Sequence, residues 1–79
     1  MKDIKEEGNR AKTLLNDEMF KKAVDVVDEA LIHAWRDSQC SDERDQIWQR
    51  QRALSDIVRT LEIYVESGEL EAAYERGDL

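Results

Sequence analysis

The fold is decided by residues 42–67, which read DERDQIWQRQRALSDIVRTLEIYVES. Apolar residues recur in this segment at steps of three, four and seven, which is the spacing of one face of an α-helix. The resulting stripe is as wide as in a helix of a globular bundle. Ser41 or Asp42 can cap the start, and Gly68 suits the position just after the last turn. We therefore predict a helix over residues 42–67.

The preceding stretch provides a second helix of matching character, predicted over residues 17–37. Its apolar residues again step by three and four, and Asn16 or Asp17 can cap it. The connection between the two helices is short and polar, which makes them antiparallel neighbours. In this hairpin we expect one stripe to pack on the other. The contact would join Ile47, Leu54, Ile57, Val58 and Leu61 to Phe20, Val24, Val27 and Leu31.

A third, weaker helix is predicted over residues 3–15. Its apolar face contains Ile4, Ala11, Leu14 and Leu15, and Gly8 interrupts it. At about 100° per residue, this face lies roughly 170° from the stripe that begins at Phe20, so one straight helix could not bury both on one side. Either the chain breaks near residues 16–17, or one helix presents two opposed faces. We favour the break.

The composition fits one small all-α domain that spans residues 1–79. There is no proline, 39% of the residues are charged, and 41% are hydrophobic. Residues 69–79 form either a short helix or a frayed tail. A single core in so short a chain has little stabilising capacity, and the lone Cys40 cannot form an intrachain disulfide. We therefore expect the hairpin, with its additional short N-terminal helix, to complete a bundle by oligomerisation.

The net charge of −7 narrows the range of partners. Binding to a phosphate backbone requires clustered Lys and Arg, so we expect no direct binding of nucleic acid. An acidic surface favours basic partners instead. No apolar run is long enough to cross a bilayer, and the N-terminus lacks the apolar segment of a signal peptide. We expect a cytoplasmic protein with no membrane partner.

Candidate chemical groups are few. One histidine and one cysteine cannot form a structural zinc site, and the spacing of Glu29 and His33 is not that of a di-iron bundle. Cys40 falls in the predicted turn, about two helical turns from His33, its only possible imidazole base. We expect no catalytic residue, no cofactor and no metal, and hence no enzyme.

Several apolar residues lie outside the main stripes and suggest a second contact surface. The candidate partner interface consists of Met19, Val26, Ile32, His33 and Ile63. The N-terminal helix or a second subunit could cover it. Trp35 and Trp48 flank the turn, and we expect them to pack together, although both would also suit an interface. A separate acidic face is formed by Asp25, Asp28 and Glu29.

Five segments together resemble a group of small acidic proteins encoded by tailed bacteriophages, often near their head and packaging genes. The resemblance covers about residues 8–70. It is carried by residues 10–23, Trp35, 42–48, 57–61 and 66–70. It implies a phage context and a virion or assembly role, in the bacterial host cell or associated with the virion. It transfers no catalytic residue.

Two functions follow as hypotheses. The first is a non-enzymatic helical module for protein–protein interaction, a structural or assembly accessory of a phage, whose partner is a second copy of itself or a phage or host protein. The second is a small acidic inhibitor or regulator that binds a basic surface of a host protein in the manner of a nucleic-acid mimic. Salt dependence of binding separates the two.

Overall fold

The computed structural model describes residues 3–78, and every regular element in that range is an α-helix. Helix α1 spans Ile4–Asn16, α2 spans Glu18–Asp37 and α3 spans Ser41–Glu75. The prediction of an all-α fold is confirmed. The predicted bounds of the first two helices agree with the structure to within one residue at each end.

A single residue, Asp17, separates α1 from α2. Its backbone is extended, with φ −70° and ψ 127°, and its N–H donates to the carbonyl of Leu14 at 3.1 Å. Its carboxylate accepts from the N–H of Phe20 at 2.8 Å, which is the bond of a helix N-cap. Asp17 therefore ends one helix and begins the next, and the predicted break near residues 16–17 is confirmed.

The turn between α2 and α3 is held by side chains on both of its flanks. Ser38 Oγ donates to the carbonyl of Trp35 at 2.6 Å and accepts from Arg44 Nε at 2.9 Å. The N-cap of α3 is Cys40, so the predicted cap at Ser41 or Asp42 was wrong. Cys40 makes no capping bond through its side chain, and the Glu43 carboxylate instead reaches back to the N–H of Gln39 at 2.8 Å. That bond ties the acidic first turn of α3 to the loop.

Helix α3 continues through Gly68 and ends at Glu75, which corrects the predicted end at Ser67 and the predicted tail or separate short helix beyond it. The glycine that ends the helix is Gly77, whose φ is +77°. Its N–H donates to Tyr74, and the N–H of Asp78 donates to Ala73. These two bonds form a Schellman motif. Gly68 lies inside this helix, at the point where α1 crosses α3.

Helices α1 and α2 run in succession along α3. Helix α1 is antiparallel to the C-terminal part of α3: Lys5 pairs with Glu75 at one end, and Leu14 lines a groove with Leu61 further along. Helix α2 covers the N-terminal part of α3 beside the turn. The most extensive helix–helix contact is that of α1 with α3. The prediction that the main contact joins α2 to α3 was wrong.

The molecule is elongated, with principal dimensions of 56 × 24 × 23 Å. Its radius of gyration is 17.0 Å, whereas a compact domain of this length has about 12 Å. In the described range, the buried hydrophobic residues are Ala11, Leu31 and Ile47. Residues further along the predicted seam, among them Phe20, Val24, Leu54 and Leu61, are only half-buried. The core is thus a thin line of side chains between α3 and the two helices that pack along it.

Two residues assigned to the core from sequence are exposed. Ile57 and Val27 were expected in the contact between the long helices, but about half of each side chain is open to solvent. The apolar stripe of a bundle helix is wide enough to face more than one neighbour. In this chain only two helices lie side by side at any point along α3, so the margin of each stripe remains uncovered.

Candidate interaction surface

A broad apolar face extends along one side of the molecule and draws residues from all three helices. We define it by Leu14, Met19, Val26, Val27, Ile57 and Tyr64. All six side chains are exposed, led by Met19 at 68%, Ile57 at 57% and Val26 at 56%. Single exposed apolar residues are ordinary on protein surfaces, whereas a continuous group marks a contact surface.

Helix geometry places these residues on the same side. At about 100° per residue, Val27 lies about 40° around α2 from the buried Leu31, and Val26 lies about 140° in the same rotational sense. On α3, Ile57 lies about 80° from the buried Ile47, again in that sense. When two antiparallel helices are viewed from one end, their senses of rotation are opposite. Both stripes therefore emerge on one side of the layer formed by the helices.

A groove on this side joins α1 to α3. It is open, has a volume of about 720 Å³, and contains Leu14 beside Leu61 and Tyr64. Glu7 and Arg10 form part of its polar margin. Leu14 and Tyr64, which come from different helices, thus line one continuous depression. The groove supports the sidedness derived from the helix geometry.

The opposite side carries a smaller aromatic groove beside the turn. Its volume is about 270 Å³, and Trp35 and Trp48 both line it together with Ile32. The two tryptophans share this groove, and each remains about half exposed, so this end of the hairpin is not a closed core. The guanidinium of Arg52 lies 5.4 Å from the centre of the Trp48 ring, within the range of a cation–π contact.

The interface residues predicted from sequence lie on different surfaces of the structure. All five, Met19, Val26, Ile32, His33 and Ile63, are exposed. Met19 and Val26 belong to the broad apolar face, and Ile32 belongs to the aromatic groove. By helix geometry, His33 and Ile63 point away from the helix contacts on the outer surfaces of α2 and α3. Helix α1 packs on α3 and leaves Met19 and Val26 uncovered, so it does not act as the cover considered for that surface.

Four members of the broad apolar face were not identified as interface residues from sequence, and one of them is Val27, which was assigned to the contact between the long helices. Leu14, Ile57 and Tyr64 share apolar stripes with core residues, and periodicity alone cannot tell the buried centre of a stripe from its exposed margin. The width of the stripe was the available signal, because one neighbouring helix cannot cover a stripe of that width.

The acidic residues Asp25, Asp28 and Glu29 are exposed on α2. None of them takes part in an ion pair with another residue of the 3–78 range. Cys40 is exposed in the turn. Across the same range, no three His, Cys, Asp or Glu side chains are grouped so that they could hold a metal ion.

None of the helices described is both long enough and apolar enough to span a bilayer. No protein-family model, no curated protein and no solved structure matches this chain.

Proposed function

We propose that this chain is a non-enzymatic helical interaction protein that docks through its broad apolar face. The observation that carries the proposal is that six large apolar side chains from three helices are exposed. Helix geometry and the groove shared by Leu14 and Tyr64 favour their placement on one side. Covering them would remove apolar surface from water, and each Å² buried would contribute about 25 cal/mol of favourable free energy. That gain is the driving force of the proposed association.

The thin core supports the same proposal. No side chain of residues 3–78 is completely buried, and the fully enclosed layer of a typical domain is missing there. A chain of this size has only about 3–5 kcal/mol available from a single core even when that core is well packed. Association would add a second apolar layer, so the helices would complete a bundle with their partner.

The resemblance to small acidic phage proteins supplies the proposed biological setting. In that setting the chain is a structural or assembly accessory that acts in the bacterial host cell or on the virion. An accessory of this kind needs a surface for docking rather than a reaction centre, and the broad apolar face meets that need.

The test uses two double variants that change the charge equally. Val26→Glu with Ile57→Glu places two carboxylates in the broad apolar face. Ile63→Glu with Leu70→Glu places two on exposed positions outside it. Each pair replaces the wild-type residues in the genome that encodes the chain, and circular dichroism confirms that each variant is helical.

We expect the face variant to lower the yield of infectious particles as far as deletion of the chain does, and the control variant to retain the wild-type yield. A folded face variant with full yield would overturn the proposed docking surface. A deletion without any effect on yield would overturn the assembly role.

A second candidate is the acidic regulator. It is favoured by the exposure of Asp25, Asp28 and Glu29 without ion-pair partners in the described range. Binding by this face would weaken strongly between low and high salt, whereas apolar docking would not. Substitution of all three by Asn or Gln would abolish binding under this second hypothesis and leave it intact under the first.

A further inference from the structure

We infer that the occupant of the broad apolar face is a second copy of this chain, packed face to face and antiparallel along the long axis. The inference rests on the proposed function, because it names the partner of the surface proposed there. It specifies which face pairs and in which direction the copies run.

The exposed area is large enough for such a contact. A monomeric protein of 9.2 kDa exposes about 4,900 Å² by the scaling of surface with mass. This chain exposes 6486 Å². The excess is about 1,600 Å², whereas a stable dimer buries about 800 Å² on each partner. The area needed for a contact with one second copy is therefore available.

The shape of the face favours a copy of the same chain over a single foreign helix. Both helices of the layer contribute to this one side: Met19 and Val26 come from α2, and Ile57 and Tyr64 come from α3. A lone helix would lie between the apolar residues of α2 and those of α3 and would leave the outer edges of the face exposed to solvent. A second two-helix layer has equal width and an equally apolar surface. Two identical faces related by a two-fold axis form an isologous interface.

The distribution of charge sets the direction. The end of the molecule opposite the turn is formed by residues 3–12 and 62–78, which carry nine acidic and four basic side chains. The turn end, residues 34–54, carries four of each, including Arg44 and Arg50. A parallel pair would bring the two acidic ends together. An antiparallel pair places each acidic end beside a neutral end that contains arginines, which avoids like-charge repulsion.

The chain contains one cysteine, Cys40, which is exposed in the turn and reports the direction directly. In an antiparallel pair the two Cys40 residues lie at opposite ends of the dimer. Their separation approaches the 56 Å length of the molecule. In a parallel pair both turns are at the same end, and the two thiols are close neighbours.

The experiment combines sedimentation equilibrium with pulsed electron paramagnetic resonance. We expect the wild-type chain and the Ile63→Glu, Leu70→Glu control to sediment at about twice the mass of one chain. We expect the Val26→Glu, Ile57→Glu variant to sediment as a monomer. With a nitroxide on Cys40 of the wild-type chain, we expect one long distance, which disappears on dilution with unlabelled chain.

Each contrary outcome overturns a defined part of the inference. A wild-type chain that remains monomeric up to about 1 mM, where association is worth no more than about 4 kcal/mol, overturns the second copy as occupant. A dimeric face variant overturns the choice of face, and a short Cys40–Cys40 distance overturns the antiparallel direction. The distance is measured on the wild-type chain, so this test of the direction does not depend on whether the face variant folds. A monomer whose face variant still lowers particle yield leaves the proposed function standing with a different partner.

Discussion

Gly8 and Gly68 meet where α1 crosses α3, and the backbone of each occupies the space that a side chain on the other would need. A Cβ placed on Gly8 would lie 3.0 Å from the Cα of Gly68, and a Cβ on Gly68 would lie 3.0 Å from the Cα of Gly8. The Gly8 Cβ would also lie 2.8 Å from the backbone oxygen of Tyr64, closer than real Cβ contacts. The close approach of the two backbones therefore depends on glycine at both positions.

Gly8→Ala is expected to lower the free energy of unfolding by about 1 kcal/mol. Alanine gains about 1 kcal/mol in helix propensity, but overpacking against the α3 backbone costs about 1–3 kcal/mol. Asn9→Ala at the neighbouring exposed position is the control, and it should be neutral or slightly stabilising. Urea unfolding followed by circular dichroism compares the two. A gain in stability for Gly8→Ala equal to that of the control would contradict the close crossing.

Leu31→Ala should be far more costly than Ile32→Ala, although the two residues are adjacent. Leu31 is 9% exposed and lies in the core, whereas Ile32 borders the aromatic groove and is 38% exposed. We expect Leu31→Ala to cost about 2–3 kcal/mol, a large part of the stability of a small chain, and Ile32→Ala to cost less than about 1 kcal/mol. Thermal melting at one chain concentration gives both values. Equal losses would show that the core of α2 has been assigned to the wrong face.

Asp17→Ala should destabilise the chain by about 1 kcal/mol, because it removes the carboxylate that accepts from the N–H of Phe20. Asp17→Asn keeps an acceptor oxygen at the same place, and asparagine is as good an N-cap, so it should lie close to the wild type. Denaturant midpoints of the three chains provide the comparison. Identical midpoints for Ala and Asn would mean that the cap bond does not stabilise the break between α1 and α2.

The Lys5–Glu75 pair predicts a specific dependence on alkaline pH. A hydrogen bond from the Lys5 ammonium to the Glu75 carboxylate, together with their attraction, raises the pKa of Lys5 above its ordinary value of 10.5. The pair therefore stabilises the fold in full below pH 10.5. This contribution is lost as the pH rises through the pKa of Lys5 in the folded chain. Both side chains are exposed, so the effect is small and is screened by salt.

Glu75→Gln tests this pair. The variant should lower the pKa of Lys5, as followed by NMR titration of its ε-methylene signals, and should lose less stability than the wild type between about pH 9 and about pH 12. The difference between the two chains isolates Lys5 from the other groups that titrate at high pH. A Lys5 titration that is unchanged in Glu75→Gln would rule out the pair as the cause of the shift.

Self-association should strengthen as salt is added. Each copy carries a charge of −7, so two copies repel each other at long range, while the proposed contact itself is apolar. Raising the ionic strength from about 0.01 M to about 0.15 M shortens the screening length from about 30 Å to about 8 Å. We expect the dimer dissociation constant to fall over that range when it is measured by sedimentation equilibrium. A dimer that weakens with salt would indicate a contact dominated by charge pairs.

Local chemistry in the sequence was sufficient to predict the first two helices and the break between them. Asp17 offers a cap whose partners lie three residues away, and the two apolar stripes on either side of it are out of phase. Interactions within a few residues decide such features, so no knowledge of distant parts of the chain was required. The exposed, acidic α2 surface and the loop position of Cys40 followed in the same way.

Only the tertiary structure decided whether Gly68 ends α3 and how much of each apolar stripe is buried. A glycine at the end of a periodic segment is equally compatible with a helix stop and with a close helix crossing. Which of the two occurs depends on Gly8, sixty positions earlier in the chain. Ile57 has the periodicity of a core residue, and it is exposed because one neighbouring helix covers only part of so wide a stripe. Periodicity specifies the face that a helix can bury, and the number of helices packed against it determines how much of that face is buried.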